Sequence, residues 1–120
     1  MTLLVLPTQS AAIPRLANWM KPQDRFVPIT THDNLTISFE ESRAVLDRVG
    51  VAGEIVPTPG HSDDSVSLVL DSAAAFTGDL TPPALAGEDA SETIATSWQL
   101  LRDRGVTTVY PGHGPITPMP

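Results

Sequence analysis

Three short stretches join a side chain capable of metal or acid–base chemistry to residues that turn the backbone sharply. They are Thr58-Pro-Gly-His61-Ser-Asp-Asp-Ser65, Phe76-Thr-Gly-Asp79-Leu80 and Tyr110-Pro-Gly-His113-Gly-Pro115. Glycine and proline ahead of each histidine bring the backbone close to a site and stiffen the approach. Two neutral imidazoles and one carboxylate are a ligand set for zinc or a similar divalent cation. Singly, each stretch reads as a surface histidine or a turn aspartate. Together, in this order and each at the end of a predicted strand, they are much more specific.

The elements that must position them follow from periodicity. Glu54 to Val56 reads as a strand leading into the first stretch, and Ser65 to Leu70 as the strand leaving it. In that second strand Val66, Leu68 and Leu70 share one face, with Ser65, Ser67 and Val69 on the other. Ala74 to Thr77 is a strand running into Asp79, and Val106 to Tyr110 one running into His113. Between them lie a loop from Thr81 to Gly87 and a helix opened by a capping box at Asp89 and Glu92. Ile94, Trp98 and Leu101 fall on one face of that helix, and Gly105 stops it. Nearer the start, Leu3 to Leu6 reads as a strand closed by Pro7, and Ser10 to Met20 as a helix with Pro14 in its first turn. Ile13, Leu16, Ala17 and Met20 would share its face. Phe26 to Ile29 and Leu35 to Phe39 read as strands. A capping box at Ser38 and Glu41 opens a helix that Gly50 ends. The sum is an α/β (α+β layered) chain: one mixed sheet with helices on one face.

Composition narrows the chemistry. Lys plus Arg is 7 against 14 for Asp plus Glu, a net charge of −7, which repels phosphate backbones and anionic membrane surfaces. Neither nucleic acid nor membrane is an expected partner. Cysteine is absent, which removes disulfides, thiolate zinc sites and a cysteine nucleophile. A chain without cysteine suits a reducing, cytoplasmic setting. The 12 prolines in 120 residues exceed the usual share of roughly 5%, so long helices should be few.

In order and placement the three stretches resemble the metallo-β-lactamase superfamily of metal-dependent hydrolases. The likeness is detailed over residues 52 to 116 and only in outline before that. The resemblance implies an αββα sandwich, two sheets face to face with helices outside. It implies two zinc ions in the intact family, His61 being a ligand of one, Asp79 bridging both and His113 a ligand of the other. It implies a metal-bound hydroxide that attacks an ester, thioester, lactone, amide or phosphodiester of a small-molecule substrate. Ser62, Asp63 and Asp64 are candidates to orient an imidazole from behind. Asp79, where some β-lactamases carry cysteine, suits the glyoxalase, lactonase and ribonuclease branches.

The family's first metal motif, His-x-His-x-Asp-His, is missing. The three histidines are His32, His61 and His113, and no Asp-His pair occurs. His32-Asp33 reverses that pair inside a turn cluster and is not assigned to the metal. The chain therefore reads as a single partial domain over 1–120, the C-terminal half of the family domain. Half a site should hold at most one metal, weakly, and the isolated chain should be inactive or nearly so. Half a sandwich should leave an apolar sheet face, carrying Val66, Leu68 and Leu70, open to a second copy or to a complementing N-terminal half. Two alternatives are a non-catalytic binding or subunit module using that face, and one half of a split enzyme.

Overall fold

The computed structural model describes residues 2–30, 32–88 and 91–120. They form two compact units, Met1–Ser38 and Phe39–Pro120.

In the first unit, strand β1 (Leu4–Val5) runs parallel to β2 (Leu35–Thr36), pairing Leu4 with Leu35 and Val5 with Thr36. The Ile37 amide donates to the Val5 carbonyl at 3.0 Å, and there the ladder stops. Pro7 has no amide hydrogen with which to extend it. β2 is accordingly shorter than the strand expected over Leu35 to Phe39. Helix α1 (Pro7–Ala12) begins earlier than the helix expected over Ser10 to Met20, with proline among its first positions. It gives way to a 3₁₀ stretch at Ile13–Asn18. Pro14 cannot donate to the Ser10 carbonyl and its ring crowds that oxygen, so an α-helix cannot run through. The tighter repeat also breaks the expected face: Ile13 and Leu16 are half-buried, whereas Ala17 and Met20 are exposed. No strand forms over Phe26 to Ile29, where Pro28 removes a ladder donor.

The second unit contains α2 (Ser42–Arg48), β3 (Gly53–Pro57), β4 (Val66–Leu70), β5 (Ala74–Gly78), α3 (Ser91–Asp103), β6 (Thr108–Pro111) and β7 (Thr117–Pro118). The capping box expected at Ser38 and Glu41 lies just ahead of α2. Glu41 is the cap residue and the helix starts at Ser42. The Ser42 hydroxyl donates to the Phe39 carbonyl at 2.7 Å and accepts from the Ile55 amide at 3.0 Å. It thereby satisfies a polar group on the open edge of β3. Asp89, the expected cap of α3, lies outside the described residues.

The five strands lie in sequence order, β3-β4-β5-β6-β7. All neighbours are antiparallel except β5 and β6, which are parallel because α3 carries the chain back between them. Alternation divides the sheet. Val56, Ser67, Val69, Ala75, Thr77 and Val109 are buried. Val56, Val69, Ala75 and Val109 share a core with Leu80, Val106 and α3's Ile94, Trp98 and Leu101. Val66, Leu68 and Leu70 point to the opposite face and are half-buried. On that face Ile55, Leu68, Phe76 and Tyr110 align across four strands. The Phe76 and Tyr110 rings stack with centroids 4.8 Å apart. The result is a mixed sheet flanked by helices, a half-sandwich.

Ion pairs lie at the surface. Arg43 meets Asp71 at 2.9 Å and Arg104 meets Glu54 at 3.0 Å. The hydrogen bond and charge of Asp71 hold the Arg43 guanidinium above its ordinary range.

Candidate functional site

The topology brings the three stretches to one edge of the sheet. β3 ends there, β4 begins there, and β5 and β6 both end there.

Asp79 sits in a turn just beyond β5. The Leu80 amide donates to the Thr77 carbonyl at 3.1 Å, and Gly78 takes the left-handed conformation at φ 54° that glycine adopts freely. His113 follows β6. The Gly112 amide donates to the Gly78 carbonyl at 2.7 Å, locking the two turns side by side. The approach has no room for a side chain: a Cβ on Gly112 would stand 2.8 Å from Asp79 Oδ1 and 3.1 Å from the Gly78 carbonyl carbon. The product is a close pair, His113 Nε2 and Asp79 Oδ1 3.4 Å apart, with His113 89% exposed and Asp79 45%.

The His61 loop is fastened separately. The Thr58 amide donates to the Ser65 carbonyl at 3.0 Å, and the Ser62 and Ser65 hydroxyls lie 2.8 Å apart. Below them the buried hydroxyls of Thr58 and Ser67 pair at 2.7 Å. Ser62 therefore shapes the loop. His61 and Asp63 are exposed and Asp64 is half-buried. His32, in the first unit, pairs with its neighbour Asp33 at 3.2 Å.

Helix α3 holds both loops from beneath. Ser97 donates to the Pro59 carbonyl at 2.6 Å, and Trp98 Nε1 donates to the Thr81 carbonyl at 2.8 Å. Gly60 presses against Ile94, where an added Cβ would come within 2.7 Å of Cγ1. Reading α3 only as an apolar stripe passes over Ser97. The signal for it is a serine beside Trp98 inside that stripe, a position that demands a hydrogen-bond partner once buried.

The structure therefore unites Asp79 with His113 and leaves His61 on the same edge but outside the pair. Among the described residues no group of three or more His, Cys, Asp or Glu side chains could hold a metal. The pair itself has the spacing of two zinc ligands: bonds of ~2.0–2.1 Å at tetrahedral angles set donors about 3.3–3.4 Å apart. The residues fit one side of a zinc site and do not complete it.

Over 70 residues the chain is 39% identical to the Beta-lactamase-like protein 2 homolog of Caenorhabditis elegans, a match covering 56% of this chain and 23% of that protein. It superposes on an archaeal metallo-β-lactamase superfamily protein from Sulfolobus tokodaii with a TM-score of 0.52 at 16% identity, over 98% of this chain and 53% of that one. The chain has the metallo-β-lactamase fold. A metallo-β-lactamase family protein from Thermus thermophilus matches with a TM-score of 0.48 at 21% identity, over 58% of this chain and 27% of that one. This metallo-β-lactamase-fold chain thus spans about half the length of the archaeal structure and about a quarter of the other two. No family model matches the chain. No helix among the described residues is long and apolar enough to cross a membrane.

Proposed function

We propose that this chain supplies the Asp79–His113 arm of a metallo-hydrolase site, with His61 as a further ligand, and that it corresponds to the C-terminal half of a metallo-β-lactamase domain. The observation that carries this reading is the pair 3.4 Å apart at two adjacent strand ends. Zinc is the metal proposed, on the borderline character of an imidazole and a carboxylate. Bound there, it would polarise a small-molecule substrate and acidify water. Asp79 and His113 would offer their donors from turns already locked to each other, and Asp63 and Asp64 lie on the loop that presents His61. Ester, thioester, lactone, amide and phosphodiester bonds are the substrate classes of this proposal. The ligands of the absent His-x-His-x-Asp-His motif must come from elsewhere, so the isolated chain is proposed to be inactive or very weak. Its proposed setting is the cytosol.

The test is zinc competition against a chromophoric chelator with the whole chain and single variants. Asp79→Ala and His113→Ala are expected to lose zinc capture, and His61→Ala to weaken it. Mixing with a separately made N-terminal half that bears the missing motif is expected to raise hydrolysis of a generic aryl ester above either half alone. Zinc capture unchanged in both Asp79→Ala and His113→Ala would overturn the reading.

A second reading is favoured by the row Ile55, Leu68, Phe76 and Tyr110, uncharged throughout and containing a Phe76 that is 45% exposed. Here the sheet face docks a partner and the histidines play no part. Partner capture that survives both EDTA and Asp79→Ala would support it.

A further inference from the structure

One segment of the first unit differs in charge from the rest of the chain. Residues 13–29 hold three of the chain's 7 basic residues, Arg15, Lys21 and Arg25, and one of its 14 acidic ones, Asp24. The segment is therefore +2 inside a chain that is otherwise −9. Asp24 is committed locally: its carboxylate accepts from the Lys21 amide at 2.7 Å and closes a 3₁₀ turn at Pro22–Asp24. Arg15 Nε donates to the Ala11 carbonyl at 3.2 Å. All three basic residues are exposed, and among the described residues none of their side chains pairs with an acid. Apolar side chains stand in water between these charges. Trp19 and Val27 are each 80% exposed, and Met20 is exposed as well. The Trp19 amide donates to the Leu16 carbonyl at 3.0 Å, which seats the residue at the end of the 3₁₀ stretch Ile13–Asn18. Tryptophan, methionine and arginine are the residues enriched where proteins meet.

We propose that residues 15–27 are the docking surface for an acidic protein segment that carries apolar side chains. Trp19, Met20 and Val27 receive the apolar side chains, and Arg15, Lys21 and Arg25 receive the carboxylates. Charge selects this partner over an anionic membrane. A membrane is a broad surface that also meets the −9 carried by the rest of the chain, and charges repel within a screening length of ~8 Å. An acidic segment engages the +2 stretch alone. The inference is independent of the reading of Asp79 and His113.

Binding of a dye-labelled amphipathic peptide of Glu, Ala and Leu to the whole chain, followed by fluorescence anisotropy, tests it, and tryptophan emission locates the contact. Of the two tryptophans, Trp98 is 3% exposed with its Nε1 bonded to the Thr81 carbonyl, so a blue shift on binding reports Trp19. The expected result is saturable binding with that blue shift, weakened by added salt. Trp19→Ala should weaken binding by ~30-fold or more, the loss of a tryptophan anchor, and Arg15→Glu combined with Arg25→Glu should also weaken it. These residues are exposed, so the urea midpoint of each variant should hold. Phe76→Ala, on the sheet face, should bind as the parent chain does. No binding, equal binding of a peptide with Lys in place of Glu, or binding lost in Phe76→Ala and kept in Trp19→Ala overturns the proposal. A blue shift with phosphatidylserine vesicles and none with the peptide also overturns it, and assigns the segment to a lipid surface.

Discussion

Replacing Gly112 with alanine isolates the close approach that makes the Asp79–His113 pair. The new Cβ would lie 2.8 Å from Asp79 Oδ1, 3.1 Å from the Gly78 carbonyl carbon and 3.2 Å from its oxygen, whereas ordinary contact begins near 3.4 Å. The worst contact is therefore short by about 0.6 Å on the repulsive side of the van der Waals well. Gly78 cannot retreat without stretching the 2.7 Å bond it accepts from the Gly112 amide. The easier relief is rotation of the Asp79 carboxylate, which takes Oδ1 away from His113. A metal site tolerates ligand displacements of only ~0.2 Å, so the bite is lost. The expected outcome is a stability loss of about 1–3 kcal/mol, the ordinary cost of overpacking. Zinc affinity should fall by ~10-fold or more, equivalent to about 1.4 kcal/mol of binding. Urea unfolding reads the first quantity and chelator competition the second. Gly105→Ala is the control. That glycine has φ +76° with nothing within 4 Å of an added Cβ, so only backbone strain is introduced. It should cost ~1–2 kcal/mol and leave zinc binding alone. If Gly112→Ala binds zinc as tightly as the parent chain, the close approach does not set the pair, and the reasoning is wrong.

Other outcomes follow from the packing. Leu101 is fully buried in the core beneath the sheet, and Leu101→Ala should cost about 2–5 kcal/mol in urea unfolding. Ser42→Ala strips the Ile55 amide of its acceptor on the β3 edge and should cost ~1–3 kcal/mol, with faster hydrogen exchange at Ile55 as the local reading. Thr77 is 2% exposed and its hydroxyl has no partner among the described residues, so Thr77→Val should be neutral or stabilising by up to ~1 kcal/mol. A clear loss there, measured the same way, would mean that the hydroxyl is engaged in solution.

The sequence by itself determined most of the second unit, β7 excepted. Short runs bounded by turn residues marked β3 to β6, with period-two alternation in β4, and Ile94, Trp98 and Leu101 marked the face of α3, because each signal is local. It also set His61, Asp79 and His113 at predicted strand ends, as the topology does. It misjudged parts of the first unit, where proline decided matters. Pro14 turned an expected α-helix into a 3₁₀ stretch, Pro28 prevented a strand, and Pro7 cut short the ladder that Leu35 to Phe39 would have extended. Tertiary structure alone decided which candidate residues meet. Asp79 and His113 are 34 positions apart in the chain, and the parallel pairing of β5 and β6 across α3 sets them side by side. His61 looked equal to them in sequence, yet its loop is held by Ser62, Ser65 and Ser97 on the far side of β4. Spacing along a chain states which side chains are available. Only strand order and the bonds that fix each loop state which of them share a point in space.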